Sequence, residues 1–349
     1  MDENYYRRFP MYVCLEVSSL CNSRCVHCPN GAKLLQKEYK GLMDETMALD
    51  ILHEVAEIKE KHEEFQPSIV LYGNGEPLLH KKLNMFIQTA FSLGLSSNLS
   101  TNCINLKPEH GEILSKAGLN IIKLSIWGDN KEEYESRCRQ KFDETIRKVI
   151  QFIENCDDRL GIEINVVKFR NEDEPIPYVK HNFLKLFTQF KSKNIDVYGQ
   201  CGSDWAGQLP IEGLTENFDI SQLNYEPCSH FRDNMLIAYD GTVMFCWLDF
   251  NRNTVYGKYE KENLLELWQA KARQKVYNLM EAGRFSELFP CRQCTAPYTL
   301  TKKPRCFYKL DKNRIFSLEV LNIHSFHYHN YLKGQELPSY IMNVQELKQ

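Results

Sequence analysis

Along the first two hundred residues, apolar runs alternate with mixed segments. Runs rich in β-branched and aromatic residues lie at YVCLEV (12–17), SIVLY (68–72), SNLST (97–101), IIKLSI (121–126), GIEINVV (161–167) and IDVYG (195–199). Such runs suit strands. Between them the apolar positions fall three and four apart, the spacing of one helix face. The longest such segment, DETMALDILHEVAEIKEK (44–61), opens on Asp44, a residue type that caps helix N-termini. KLNMFIQTAFSLG, HGEILSKAG, FDETIRKVIQFIENC and VKHNFLKLFTQFKSK follow the same pattern. Six strand–helix units in a row predict an α/β fold: a parallel sheet with right-handed crossovers, curled into a partial (β/α)6 TIM barrel.

The rhythm stops near Cys201. From there to Cys306 come Gly, Pro, short strands and cysteines, with one helix expected over NLLELWQAKARQKVYNLMEAG (263–283). This predicts a barrel over 1–200, a smaller domain over 201–306, and a tail over 307–349 with no assigned element. The tail stretch SFHYHNY (325–331) alternates His with aromatics, which is expected of packing rather than of a metal site.

Charge narrows the partners. The net charge is −3, with no basic excess to suggest nucleic acid and no acidic tail. The start lacks a signal-peptide core, and no apolar run reaches the roughly 18 residues needed to span a bilayer. A cytoplasmic protein with no nucleic-acid or membrane partner is expected. Thirteen cysteines are an odd number, and disulfide frameworks belong to small secreted chains. In a reducing compartment, clustered cysteines more often hold metal. Cys14, Cys103, Cys138 and Cys156 stand singly and are expected to be small buried hydrophobes.

CNSRCVHCPNG (21–31) places Cys21, Cys25 and Cys28 in a C-x3-C-x2-C pattern directly after the first strand. In a β/α barrel the chemistry sits on loops at the carboxyl ends of strands. Three thiolates hold three irons of a [4Fe–4S] cube and leave the fourth open to an exchangeable ligand. Zinc instead prefers four closed ligands, or mixed His and Cys ligands. His27, between Val26 and Cys28, is expected to point away from them. The second strand runs into YGNGEPLL (72–79), the third ends in STNC (100–103), and the fourth runs into KLSIWGDNKEEYESRCR (123–139).

These four motifs, in this order, resemble those of the radical S-adenosylmethionine (SAM) enzymes over residues 12 to about 200. The resemblance implies that the open iron binds the amino and carboxylate groups of SAM. One electron then cleaves the sulfonium and releases a 5′-deoxyadenosyl radical. It places His27 near the adenine. Asn74, Gly75 and Glu76, with Pro77, resemble the family's G-G-E-P that holds the amino group, Asn74 standing for the first Gly. Asn102 is implied at the ribose, with Cys103 replacing a Gly. Ser125 and Arg137 are implied at the carboxylate, with Trp127 replacing an Asp. The competing reading for Arg137 is a solvated helix face. The resemblance also implies a reducing partner such as flavodoxin or ferredoxin.

A second set comprises Cys228, Cys246, Cys291 and Cys294. Asp240-Gly241 is a strong hairpin signal and would return Cys246 beside Cys228. Four cysteines can fill every site of a [4Fe–4S] cluster; a structural zinc site is the competing reading. The pattern C-x12-G-x4-C, then a helix with L-x-x-L-W, then C-x2-C, is similar to the auxiliary-cluster domain called SPASM in its shortened twitch form. Only Cys306 follows, so the resemblance implies one auxiliary [4Fe–4S] cluster. The spacing is closest to that of the radical SAM 2-deoxy-scyllo-inosamine dehydrogenase, which oxidises a cyclitol hydroxyl. Cys201 and Cys306 are left over; either could replace a ligand or face the substrate, but burial is the expectation for each.

The loop CGSDWAGQLP (201–210) joins the two regions. Its Asp204, Trp205 and Gln208 are expected to face the barrel mouth, with Trp205 walling a sugar face and Asp204 bonding or deprotonating a hydroxyl. The bland alternative is a tight turn with a core Trp. The expected activity is oxidation of an alcohol in a small, carbohydrate-like molecule: a sugar, aminosugar or cyclitol. The auxiliary cluster would accept the second electron. Peptide or protein modification, sugar epimerisation and a zinc-stabilised binding protein are the alternatives. The first strand begins near residue 12, which is expected to leave no room for an N-terminal peptide-recognition domain.

Overall fold

The computed structural model describes residues 3–169, 178–190, 192–209, 227–261, 263–294, 305–311, 314–320 and 341–347. After a short helix α1 (Glu3–Arg8), the strands and helices alternate. They are β1 (Tyr12–Leu15), α2 (Glu45–Lys61), β2 (Ser68–Val70), α3 (Leu83–Ser92), β3 (Ser96–Thr101), α4 (Pro108–Lys116) and β4 (Ile121–Ile126). Two helices, α5 (Lys131–Cys138) and α6 (Phe142–Glu154), lead to β5 (Gly161–Lys168), and α7 (His181–Lys185) leads to β6 (Asn194–Cys201). Strands β1 to β6 pair in parallel in chain order. The helix starting at Asp44 forms as expected: its carboxylate accepts from the Thr46 and Met47 amides at 2.9 and 3.2 Å.

Period-two alternation sorts the strand residues. Val13, Leu15, Ile69, Leu99, Ile122, Leu124, Ile162 and Ile164 face the helices and form the main core with Ile51, Leu52, Val55, Phe86 and Phe152. The alternate residues line the inside of the curl. Tyr12, Cys14 and Val70 form an apolar patch there with Leu236, Ala238 and Met244. Buried Asn98, Glu163, Asn165, Asp196 and Tyr198 alternate with those core residues on β3, β5 and β6. The barrel is open, and its two edges carry different additions. Strand β7 (Asn234–Ile237) pairs in parallel with β1, then turns through Asp240-Gly241 into antiparallel β8 (Thr242–Met244) and β9 (Val255–Lys258). The hairpin forms as expected, with Gly241 at φ +85°.

Three sequence expectations are corrected. The helix read over 263–283 is two helices, α9 (Leu264–Trp268) and α10 (Lys271–Glu281), separated by an extended Ala270. The break lets buried Arg273 stack on Trp268 at 3.3 Å, while the Trp268 indole donates to Tyr6 O at 3.2 Å. The helix read over 179–193 shrinks to α7. The tail, read without elements, contributes β10 (Arg305–Asp311), β11 (Arg314–Val320) and β12 (Ile341–Leu347), antiparallel on the β6 edge. The SFHYHNY stretch lies outside the described residues. No described helix is long and apolar enough to cross a membrane.

Candidate active site

The loop after β1 carries Cys21, Cys25 and Cys28, and its shape is held from several sides. The Val26 amide donates to Arg137 O at 2.9 Å, tying the loop to the end of α5. A Cβ on Gly31 would meet the Cys25 carbonyl oxygen at 2.3 Å, so only glycine permits the return of the chain there. Asn30 donates to Ser19 O and Asn74 O at 2.8 and 3.1 Å, joining this loop to the one after β2. The sulfurs also have polar neighbours. Ser23 Oγ is 2.8 Å from Cys25 Sγ, and Asn102 Nδ2 donates to Cys21 Sγ at 3.5 Å.

Burial pushes the Cys21 thiol up to about 12 and the Cys28 thiol up to about 11. Cys25 moves the opposite way, because the Cys138 thiol hydrogen-bonds to it. Cys138 is therefore more than the isolated buried hydrophobe its sequence position suggests; its thiol backs Cys25.

The loop after β2 is built as tightly. A Cβ on Gly75 would meet Ser18 O at 2.3 Å, and one on Gly73 would meet the Glu16 side chain at 2.7 Å. Glu16 accepts from the Asn74 amide at 3.1 Å and pairs with buried Arg252, 3.2 Å away on the loop between β8 and β9. Arg252 also reaches Asp240 at 2.8 Å. This relay, with Glu16 and Arg252 buried, ties the Asn74 loop to the added hairpin. It is invisible as a motif, since Glu16 lies 236 positions from Arg252.

Glu76 is 1% exposed. Its carboxylate accepts from Leu78 N at 3.0 Å, Thr101 Oγ1 at 2.9 Å and Asn102 N at 2.8 Å. A carboxylate offers about four acceptor positions, so one remains for a further donor. Burial nevertheless raises the Glu76 pKa to about 7.

The other expected SAM residues converge on the same mouth. Asn102 follows β3, but its amide is already committed to Cys21 and Asn22. Cys103 has φ +65°, the left-handed backbone that the family's glycine adopts freely. Ser125 lies on β4 in register with Asn165. Arg137 is not on a solvated face. Its side chain is 13% exposed, pairs with Glu133 at 3.2 Å and lies over Phe169 at 4.2 Å. Glu133 and buried Asp129 both hold Lys168, at 3.1 and 2.9 Å. His27 stacks on Trp127 with ring centroids 3.2 Å apart. Thus Trp127, in place of the usual Asp, supplies an aromatic surface against His27.

The second cysteine set also comes together. Cys246, Cys291 and Cys294 are buried in one apolar cluster with Phe231, Phe245, Tyr277 and Phe285, and Cys228 packs against it. Burial raises the Cys228 thiol to about 11 and the Cys246 thiol to about 12, and Cys228 and Cys246 repel each other and Cys291. Cys228 precedes helix α8 (Ser229–Arg232), and Arg273 secures that turn by donating to Phe231 O and Arg232 O at 3.4 and 3.2 Å.

Every described cysteine side chain is a free thiol. Among the described residues no three His, Cys, Asp or Glu side chains converge on a single ion. A cube takes one thiolate per iron, so grouped thiols are the donors it needs. Three such thiols leave one iron open, and four leave none. The donors therefore fit one cluster with an exchangeable position and one fully ligated cluster.

Asp204 and Trp205 sit on the connection from β6. Asp204 is 2% exposed, and its backbone oxygen accepts from Leu209 N. The Trp205 indole donates to His27 O at 2.9 Å, so this ring is anchored on the first cysteine loop.

Two family models match the chain: the radical SAM superfamily over residues 15–180, and an iron–sulfur cluster-binding domain, SPASM, over 228–295. A GTP 3′,8-cyclase of Alkaliphilus oremlandii is 29% identical over 181 residues, 50% of this chain and 52% of that protein. The chain thus spans about half the length of that curated relative. Among solved structures, BtrN in complex with AdoMet and 2-DOIA matches with TM-score 0.55 at 17% identity, over 82% of this chain and 93% of BtrN. SuiB of Streptococcus suis bound to precursor peptide SuiA matches with TM-score 0.57 at 16% identity, over 83% of this chain and 70% of SuiB. At those identities the likeness is one of fold. The cofactors of the chain are S-adenosylmethionine, a SAM-binding [4Fe–4S] cluster and an auxiliary [4Fe–4S] cluster.

Proposed function

We propose that this chain, a radical SAM enzyme with an iron–sulfur cluster-binding domain after its barrel, oxidises an alcohol of a sugar, aminosugar or cyclitol. When bound, the first cluster and SAM supply a 5′-deoxyadenosyl radical. Cys21, Cys25 and Cys28 would hold that cluster. Gly75, Glu76 and Asn74 would hold the amino group of SAM, and Ser125 and Arg137 its carboxylate. His27 would lie against the adenine and Asn102 near the ribose. Cys228, Cys246, Cys291 and Cys294 would hold the auxiliary cluster.

The observation that carries the reading is the polar inner wall beneath the barrel mouth. Lys123, Glu163 and Asp196 form one register row across β4, β5 and β6, and Ser125, Asn165 and Tyr198 form the next. Lys123 lies 3.8 Å from Glu163, which also accepts from Tyr198 at 3.3 Å. Charged and amide groups facing the interior of a barrel suit a ligand rich in hydroxyl and amino groups. Asp204 and Trp205 are our candidates for contact with that ligand from above. The reacting carbon must sit roughly 3–3.5 Å from the nucleoside 5′ position. The alcohol gives up one hydrogen atom there, then one proton and one electron. The cluster that Cys228, Cys246, Cys291 and Cys294 would hold is the proposed acceptor of that electron.

The test is isotopic. With substrate deuterated at the carbinol carbon, deuterium appears in 5′-deoxyadenosine, and unlabelled substrate yields a product two hydrogens lighter. A product of unchanged mass would mean epimerisation or rearrangement and would sink the dehydrogenase reading. So would turnover of a peptide in place of a carbohydrate.

A further prediction concerns Glu76. Its carboxyl is raised towards about 7 by burial, so near neutral pH the folded apo chain keeps a proton that the unfolded chain has lost. Apo stability therefore falls as pH rises from the ordinary carboxylate range to about 7. A bound ammonium favours the carboxylate, so SAM binding strengthens over that rise and releases the proton. Glu76→Gln is expected to flatten this dependence. Glu76→Ala is expected to weaken SAM roughly tenfold or more, since a charge-assisted bond is worth about 1.5–3 kcal/mol. Equilibrium titration of SAM across the pH range checks both; unchanged affinity in folded variants would remove Glu76 from the site.

A further inference from the structure

Trp205 stands between the two cysteine sets and is joined to both. Its indole N–H donates to the backbone oxygen of His27 at 2.9 Å, and His27 immediately precedes Cys28. Its ring meets Phe250 edge-on, with centroids 6.1 Å apart at 81°, and packs against the apolar cluster containing Cys246, Cys291 and Cys294. The neighbouring residues hold the same surface. A Cβ on Gly207 would meet the Gln293 side chain, between Cys291 and Cys294, at 3.2 Å, so the loop runs close over that turn. Gln208 donates to Leu248 O at 2.7 Å, two residues past Cys246. Trp205 and Ala206 both adopt the left-handed backbone, at φ +56° and +59°, a disfavoured conformation for residues with a Cβ. The chain accepts that strain to put an indole, rather than a small turn residue, between the two loops.

We propose that Trp205 is the bridging residue between the two cluster sites. One electron passes from the reduced auxiliary cluster to the oxidised SAM-binding cluster through the Trp205 ring, its hydrogen bond to His27 O and the short backbone to Cys28. No bond forms or breaks and no proton moves. The auxiliary cluster is oxidised and the SAM-binding cluster reduced by the same electron. An electron taken from substrate is thereby returned to the site that cleaves SAM. The role rests on the two cofactor clusters and not on the identity of the substrate, so its test contains no substrate.

The experiment uses the full chain with both clusters installed under anaerobic conditions. Flash photoreduction followed by rapid freezing and electron paramagnetic resonance measures how fast the electron distributes between the clusters. Trp205→Phe keeps a ring in the apolar cluster but removes the N–H donor; Trp205→Leu removes the ring as well. Equilibration is expected to slow by an order of magnitude or more in Trp205→Phe and further in Trp205→Leu. Iron content and both midpoint potentials should stay at wild-type values, which separates a lost path from a changed driving force. Wild-type equilibration rates in both variants would overturn the proposal. So would loss of iron in both variants, which would make Trp205 a packing residue only, or a slowing fully accounted for by shifted potentials.

Discussion

Replacing Cys21, Cys25 and Cys28 together by Ala is expected to abolish SAM cleavage and to lower the iron content from about eight to about four per chain, because the remaining four-cysteine set holds one cube. The triple variant is a sharper test than any single one. Cys138 hydrogen-bonds to Cys25 and Ser23 Oγ lies 2.8 Å from the same sulfur, so a single Cys25→Ala variant leaves a donor atom close to the vacant iron. None of the three side chains belongs to the fully buried core, so the fold survives and the barrel strands keep their register. Iron and sulfide analysis with chromatography of 5′-deoxyadenosine checks the outcome. SAM cleavage by the triple variant would refute the assignment of the catalytic cluster, and an unchanged iron content would refute the two-cluster reading.

The second large effect is expected from Cys291→Ala combined with Cys294→Ala. These residues flank one short turn, and removing both leaves the auxiliary site with two thiols, too few to hold a cube. Iron should fall to about four per chain, this time with the SAM-binding cluster kept. If the product-forming electron enters at the auxiliary site, the two half-reactions separate. Deuterium should still move from substrate to 5′-deoxyadenosine, while the product two hydrogens lighter falls below about a tenth of the wild-type yield, a change of at least about 1.4 kcal/mol. Circular dichroism guards against simple unfolding, since both cysteines lie in the apolar cluster with Tyr277 and Phe285. Normal product yield from a folded variant lacking the auxiliary cluster would show that the second electron goes elsewhere.

The two cysteine sets differ in what surrounds them, and the difference matches the tasks proposed for them. The first lies in a loop of intermediate exposure, with Ser23 and Asn102 bonded to its sulfurs. The second has three of its four cysteines buried among aromatic rings. An open cluster has to admit a ligand; a fully ligated one has only to exchange electrons, and burial and hydrogen bonding set its potential.

Much was legible in the sequence because it is local. A strand shows itself by alternation, a helix by spacing and a cap such as Asp44, and a hairpin by Asp240-Gly241. Each is decided by neighbours a few residues away. The cysteine spacings are local too, since ligands of one cluster on one loop must lie within a few residues of each other. The order of motifs at successive strand ends then pointed to a barrel with its chemistry at one mouth. Tertiary structure alone decided the rest. The break between α9 and α10, which lets Arg273 stack on Trp268, is one such feature. The strands of the tail exist because the β6 edge offers unpaired backbone groups to Cys306–Lys309. The Glu16–Arg252 pair, the Cys138–Cys25 contact and the Trp205–His27 bond span from 113 to 236 positions, and no periodicity records a contact at such range. Sequence determined which residues could carry the chemistry; the curling of the open barrel and the docking of the hairpin decided which of them touch.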